Sequence, residues 1–347
     1  MWIVLLLISA VSGKVLCGHD LFGKTDHILN VTSFGTAPLR LAHHTIYTKM
    51  SLPPALLGIA DLWDATYYAQ SEMLYSPALG LSMWRTSCLD KCLSGNIAGP
   101  VDTTYQHDTV LLLGPVRWQN GLYHVIYDGL VLAAALPDSF ISDSIIAVQD
   151  SRYATQYAAA MFPGNKVALL DPTRNYRFRR AYLPSGTPCG ISTSHHLNAA
   201  RGRLSVGAEV SITLFSGRRG RGRHISNWDQ IIRVYTEAYP THVICEHLGN
   251  ESAQDAFALF ARASIVIGLH GAGLSHLLAC RSGTIVIEIT PVPYSSEMDV
   301  NTCYGEISSK LALSHYLLPV PGDSSYYKEP LDINVFLETV NRSLSQK

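Results

Sequence analysis

The chain has 347 residues, 47% of them hydrophobic and 15% charged, with a formal net charge of −1. That length and apolar content suffice for a sizeable core spread over two domains, and they exclude a disordered chain. The near-zero charge excludes a general nucleic-acid binder, which carries a strong basic excess.

At the start, Trp2-Ile-Val-Leu-Leu-Leu-Ile-Ser-Ala-Val-Ser-Gly13 is an apolar run followed by small residues. A spanning helix needs roughly 20 apolar residues, so this pattern predicts a signal peptide over 1–17; a buried N-terminal strand is the alternative. No later segment is long enough to span, and no transmembrane helix is expected. Seven cysteines are present. In an oxidising compartment some of Cys88, Cys92, Cys189, Cys245, Cys280 and Cys303 would pair, with Cys88 and Cys92 the first candidates. No second close pair accompanies them, so no metal site is expected. Asn-x-Ser/Thr sequons stand at Asn30, Asn250 and Asn341.

Residues 18–105 mix aromatics, prolines and short apolar runs without a clear period. From Thr109 the pattern sharpens. Thr109–Leu113, Ser144–Val148 and Lys166–Leu170 read as strands, separated by helices over Asn120–Leu136 and Ser151–Phe162. Such alternation predicts parallel pairing. The proline-, glycine- and arginine-containing stretch 171–208 reads as a linker between domains. Alternation then resumes. Strands are predicted at Val210–Phe215, Thr241–Cys245, Ile265–Ile267 and Thr284–Ile289. Helices are predicted from Asn227, as a capping box with Gln230, to Ala238, and over Ser252–Ala263, opened by Ser252 and Asp255. A third should begin at Leu274, and an amphipathic helix over Asp332–Leu344 should close the chain, with Ile333, Phe336, Leu337 and Val340 on one face. The fold class read from this order is α/β, with two adjacent doubly wound units. Such sheets bind ligands outside the carboxyl ends of their strands, and a cleft between two of them suits a pair of substrates.

Three motifs carry candidate chemistry. His270-Gly271-Ala272-Gly273 lies between a buried strand and a helix start. Glycines let the backbone approach a ligand, and the N–H groups of a helix start attract an anion, with a diphosphate the expected guest. A packing turn is the bland alternative. Position 276 is histidine, so the dinucleotide fingerprint is incomplete, and no P-loop lysine follows. In Ser216-Gly-Arg-Arg-Gly-Arg-Gly-Arg223, the guanidinium groups of Arg218, Arg219 and Arg223 suit phosphate oxygens, unless the loop is simply solvated. His124 and Asp128 are four apart on one helix and suit general-base work, or else brace the helix. Glu288 ends a strand where a carboxylate can accept hydrogen bonds from ribose hydroxyls or cap a neighbouring loop.

The ordered blocks "NGLYHVIYD", "LFSGRRGRGRHISN", "QDAFALFARASIVIGLHGAGLSHLL" and "GTIVIEI" resemble glycosyltransferase family 61 over roughly His107 to Pro291. The resemblance implies two Rossmann-like domains facing a cleft, the GT-B type. They would span an acceptor-side domain over 18–185 and a nucleotide-sugar domain over 186–330, followed by a C-terminal helix over 331–347. It further implies an inverting, metal-independent transfer of GlcNAc or a pentose such as xylose from a UDP-sugar. No cofactor is expected beyond that co-substrate. The acceptor would be a glycan or glycoprotein in the secretory-pathway lumen, endoplasmic reticulum or Golgi, with secretion as an extension of the same route. His124 and Asp128 would be catalytic; Arg218, Arg219, Arg223, His270, Gly271, Ala272, Gly273 and Glu288 would bind the donor. A non-catalytic relative that binds a glycan or nucleotide sugar is the alternative function, and a dinucleotide-dependent oxidoreductase is disfavoured by the missing third glycine.

Overall fold

The architecture comes from a computed structural model, which describes residues 15–17, 39–41, 44–49, 57–69, 73–76, 81–84, 104–113, 121–149, 153–184, 192–204, 211–217, 224–292, 303–321 and 330–345. The chain divides into two compact units, Met1–Arg203 and Leu204–Lys347. Both are mixed α/β.

In the first unit, strands β1 Val15–Cys17, β2 Leu39–Leu41, β3 His44–Lys49, β4 Leu57–Tyr68, β5 Met73–Ser76 and β6 Leu81–Trp84 precede β7 His107–Leu112. Then come a helix α1 built of Leu122–His124, Val125–Leu130 and Val131–Ala134, a short α2 Asp138–Ile141, β8 Ile145–Gln149, α3 Ala154–Met161, β9 Val167–Leu170, β10 Asn175–Pro184 and α4 Ser194–Arg203. The strands form one sheet in the order β1-β6-β5-β4-β10-β7-β8-β9, with β3 also pairing with β4 and β2 pairing with β3. Parallel pairing runs through β7-β8-β9, as the alternation predicts, and β10 joins it parallel to β7. Beyond β10 the sheet continues antiparallel through β4, so this unit is not a plain doubly wound sheet.

The stretch expected to be a linker is therefore mostly structure. Its alternate residues Tyr176, Phe178 and Tyr182 are buried, and β10 pairs with β4 on one side and β7 on the other. The arginines that made it look like a loop, Arg177, Arg179 and Arg180, place their guanidinium groups over the rings of Tyr105 and Trp63, and Arg177 and Arg179 also pair with Asp64 and Asp108. The unit boundary falls after α4, not at residue 185. Tyr67, Val110, Phe178 and Ala181 are at the centre of the core.

The second unit contains β11 Ile212–Ser216, α5 Trp228–Ala238, β12 Ile244–His247, α6 Ala253–Arg262, β13 Ala263–Leu269, a 3₁₀ helix Ala272–Ala279, β14 Ile285–Val292, α7 Cys303–Lys310, β15 Ser314–Pro321 and α8 Ile333–Ser345. Its five strands are all parallel, in the order β12-β11-β13-β14-β15. Chain order reverses between β11 and β13, which is where open α/β sheets place their ligands. The central strands β11, β13 and β14 read as largely apolar runs because both faces are covered, and all five residues of β11 are buried. α5 buries Trp228, Ile231 and Tyr235, and α8 buries Phe336 and Val340, into one core with Ile267 and Ile287.

Local details depart from expectation for physical reasons. Ser252 caps α6 as predicted, accepting from the Asp255 N–H at 3.1 Å and donating to Asp255 Oδ2 at 2.6 Å. Asn227 occupies the cap position of α5, but its side chain makes no cap bond. It instead clamps Leu331 through Nδ2 to the carbonyl and Oδ1 to the N–H, both at 2.9 Å, which fixes the approach to α8. Strand β12 begins three residues later than predicted. The His242 N–H closes a turn onto the Tyr239 carbonyl, and its ring bonds the Tyr235 hydroxyl at 2.8 Å. The expected helix at Leu274 is a 3₁₀ helix beginning at Ala272. Residues 1–14, the side chain of Cys17, Asn30, Cys88, Cys92 and Cys189 lie outside the described residues.

Candidate functional site

Parallel register places one residue from each strand in a row at the carboxyl edge of the second sheet. His247, Ser216, Gly268, Glu288 and Leu317 are consecutive partners across β12, β11, β13, β14 and β15. Polar side chains therefore collect at the β11/β13 switch and beside it, although the strands below are apolar. Gly268 keeps a gap in the row. A Cβ there would come within 2.7 Å of the Leu274 side chain and 3.3 Å of the Ser216 carbonyl, so its absence lets the 3₁₀ helix settle on the sheet.

The glycine turn follows directly. Gly271 has φ 155° and ψ 178°, a region essentially reserved for glycine. The His270 N–H donates to the Ile289 carbonyl at 2.8 Å, which extends the β13–β14 ladder up to the turn. At the start of a 3₁₀ helix the first N–H groups have no intrahelical partner, here those of Gly271, Ala272 and Gly273. Gly273 sits close under Ser216: an added Cβ would be 3.0 Å from Ser216 Oγ. The residue in the place of a third glycine is His276, whose ring is buried and bonds the Gly273 carbonyl through Nδ1 at 2.8 Å. Burial, helped by the nearby His247, pushes the His276 pKa down to about 3, so its ring is neutral and braces the turn. A full-sized ring here excludes the close helix–strand approach that a dinucleotide fingerprint needs.

Two hydrogen-bond chains flank the turn. On one side His247 Nδ1 meets Ser216 Oγ at 3.0 Å, and His247 Nε2 lies 3.4 Å from Glu251 Oε2. Burial lowers the His247 pKa despite that carboxylate. Glu251 is itself anchored, accepting from the N–H groups of Leu248 at 2.7 Å and Gly249 at 2.8 Å. On the other side Glu288 is fully buried, with one carboxylate oxygen on His270 Nδ1 and the other on His315 Nε2 at 2.8 Å. Burial raises the Glu288 pKa, but the hydrogen bonds from the two histidines and their electrostatic attraction outweigh it, and the net direction is down. Both oxygens are therefore engaged inside the protein. The ribose contact expected of Glu288 gives way to a different task, holding the His270 ring.

The first unit carries the other candidate pair. His124 Nδ1 and Asp128 Oδ2 are 2.6 Å apart, with the His124 side chain 24% exposed and Asp128 1% exposed. Only the histidine thus reaches solvent. The helix widens to a π-helix over Val125–Leu130, a local irregularity often found at functional sites. Ser192 Oγ donates to the Tyr127 carbonyl at 3.2 Å inside this turn. Asn120, Arg218, Arg219 and Arg223 lie outside the described residues, but Gly217 and His224 fix both ends of the arginine segment between β11 and α5. Among the described residues, no group of three or more His, Cys, Asp or Glu is arranged to hold a metal ion, and no helix is long and apolar enough to cross a membrane.

A polar row at a switch point narrows the chemistry to an anionic or polar ligand; the sequence match points to a family. The profile of Glycosyltransferase 61 matches residues 122–287, from the helix of His124 to the strand of Glu288. This match over just under half of the chain supports membership of glycosyltransferase family 61. It is also similar to the xylan glycosyltransferase MUCI21 of Arabidopsis thaliana, 25% identical over 152 residues. That alignment covers 43% of this chain and 30% of the relative, so the chain spans under a third of the relative's length. The family 61 match includes His124, Asp128, the arginine segment and the glycine turn, but stops one residue before Glu288. Sequence reasoning missed Ser216, His247, Glu251, Ser308 and His315, because nothing in their local spacing marks them; only the register of a parallel sheet brings them together.

Proposed function

We propose that this protein is an inverting glycosyltransferase that uses a nucleotide-sugar donor, UDP-linked, with a glycan or glycoprotein acceptor. The donor diphosphate lies against His270, Gly271, Ala272 and Gly273, and Arg218, Arg219 and Arg223 add positive charge. The observation that carries this reading is the carboxyl-edge row at the β11/β13 switch. There a turn that needs glycine at 271 leaves backbone N–H groups without intrahelical partners beside a histidine fixed by a buried carboxylate. UDP-GlcNAc or a UDP-pentose such as UDP-xylose is the expected donor. The transfer proceeds without a metal, in the lumen of the endoplasmic reticulum or Golgi, and the two units act as a GT-B pair.

Inversion is a single displacement at the anomeric carbon, and the attacking hydroxyl must shed its proton as the C–O bond forms. His124 takes that proton. Its Nδ1–H donates to Asp128, which leaves Nε2 as the basic atom, while Asp128, almost fully buried, orients the ring and stabilises the imidazolium that forms. The leaving UDP is stabilised by the turn N–H groups and the arginines. A thermal-shift screen of UDP-, GDP- and CMP-sugars tests the donor class. Stabilisation by UDP-sugars alone, lost in Gly273→Val, is the expected result; no shift with any of them refutes the reading.

A further inference from the structure

His270 faces one oxygen of Glu288, and a second histidine and a serine stand behind the other. His315 comes from β15 and Ser308 from α7, two elements that lie beyond the family match and that the sequence pattern did not reveal. Ser308 Oγ is 2.9 Å from His315 Nδ1, and His315 Nε2 is 2.8 Å from Glu288 Oε2. Ser308 and Glu288 are fully buried, while the His315 side chain is 11% and that of His270 10% exposed. α7 also places Tyr304, four residues before Ser308 and so on the same helix face, edge-on to His270 with ring centroids 5.4 Å apart. One helix face thus supports both histidines.

An ionised carboxylate can only accept hydrogen bonds. Both ring nitrogens that face Glu288 therefore carry protons: Nδ1 of His270 and Nε2 of His315. With Nε2 protonated, a neutral His315 can only accept at Nδ1, and the Ser308 hydroxyl is the donor placed there. Every link in the series has one consistent direction, from Ser308 through His315 into one oxygen of Glu288, with His270 donating into the other. The outcome is set at the far end: Nε2 of His270 is left as the ring nitrogen without a partner among the described residues.

We propose that His315 and Ser308 are positioning residues, a relay that holds Glu288 as an acceptor on both oxygens and so fixes His270 in the orientation and Nδ1–H tautomer that present its Nε2 to the nucleotide diphosphate. This rests on reading His270 as donor-facing, and the test separates the two ideas. Histidine side-chain ¹⁵N NMR on the full chain without nucleotide reads the relay alone; UDP titration calorimetry reads its use. In the wild type His270 should show a protonated Nδ1 and His315 a protonated Nε2. His315→Leu, which removes the donor, should leave His270 in mixed tautomers and weaken UDP binding about tenfold, the lower end of the usual cost of losing a supporting partner. His315→Gln places an amide where Nε2 stood and should recover the tautomer and most of the affinity. Should His315→Leu not fold, Ser308→Ala serves, with the His315 Nδ1 resonance shifting as its hydrogen-bond donor is lost and UDP binding weakened about threefold, about half of a typical neutral hydrogen bond's upper worth. An unchanged His270 tautomer and unchanged UDP affinity in these variants, with only stability lowered, would overturn the relay. The expected tautomers together with no UDP binding by the wild type would uphold the relay and overturn the donor reading instead.

Discussion

Glu288→Gln isolates the carboxylate at the centre of the candidate site. The substitution keeps volume and shape but removes the charge and turns one acceptor oxygen into an NH₂ donor. Each oxygen now serves one histidine, His270 and His315. An amide matches one ring N–H but sets its own N–H against the other, so one histidine must change tautomer or lose its partner. A hydrogen bond to a charged group is worth about 1.5–3 kcal/mol and a neutral one about 0.5–1.5, so the two bonds together lose about 2–3 kcal/mol. Relief of the cost of burying a charge offsets part of this, leaving about 2 kcal/mol. At about 2–4 °C per kcal/mol for a domain of this size, melting should fall by about 4–8 °C. The pH dependence has a definite sign. The Glu288 pKa is lowered from 4.5 in the folded chain, so its stabilisation is fully present above pH 4.5 and is lost as pH falls through the depressed folded value. Urea unfolding at several pH values, read by hydrogen exchange of β14 peptides, follows the second unit by itself. The gap between wild type and Glu288→Gln should be widest near neutrality and close below pH 4.5. A gap that stays constant across that range would show that the ionised carboxylate contributes nothing, and the account of His270 would fail with it.

The other predictions are simpler. Gly271→Val forces a branched residue into φ 155°, which should cost about 1–3 kcal/mol in a melting experiment and abolish UDP binding by calorimetry. Gly217→Ala would put a Cβ 2.4 Å from the buried Trp228 ring, so melting should report an overpacking loss of about 1–3 kcal/mol. Replacing whichever of Arg218, Arg219 and Arg223 contacts phosphate should weaken UDP binding roughly 10- to 100-fold in the same titration. His124→Ala should cut sugar transfer by about 10²-fold or more with UDP affinity near wild type, and Asp128→Asn should follow it; full turnover with lowered melting would make the pair a structural brace.

The parallel half of the fold was legible because buried parallel strands are written as short apolar runs, and residues such as Ile212–Ser216 and Ile285–Ile289 have no other use for that composition. β10 was hidden for the opposite reason. Its Arg177, Arg179 and Arg180 look like loop residues, yet a strand tolerates them when their guanidinium groups lie over aromatic rings and neighbours such as Tyr176 and Phe178 face inward. β15 and α7 were missed because Ser314-His-Tyr and Ser308-Ser-Lys are polar where the elements support the site. Polarity near a site is what weakens the apolar period from which elements are read.

The candidate site divides the same way. A glycine at φ 155° and a histidine four residues from an aspartate are local facts, and local spacing gives them away. What the second histidine and the serine do is not local. His315 is 45 residues from His270, and the two meet only because β14 lies between β13 and β15 and presents one buried glutamate to both. A carboxylate read along the chain looks like a ligand group, since a fully buried charge is costly and seldom placed without purpose. The sheet supplies that purpose internally. Once each oxygen has a histidine, the charge is compensated where it stands, and the residue left to meet the ligand is the histidine above it.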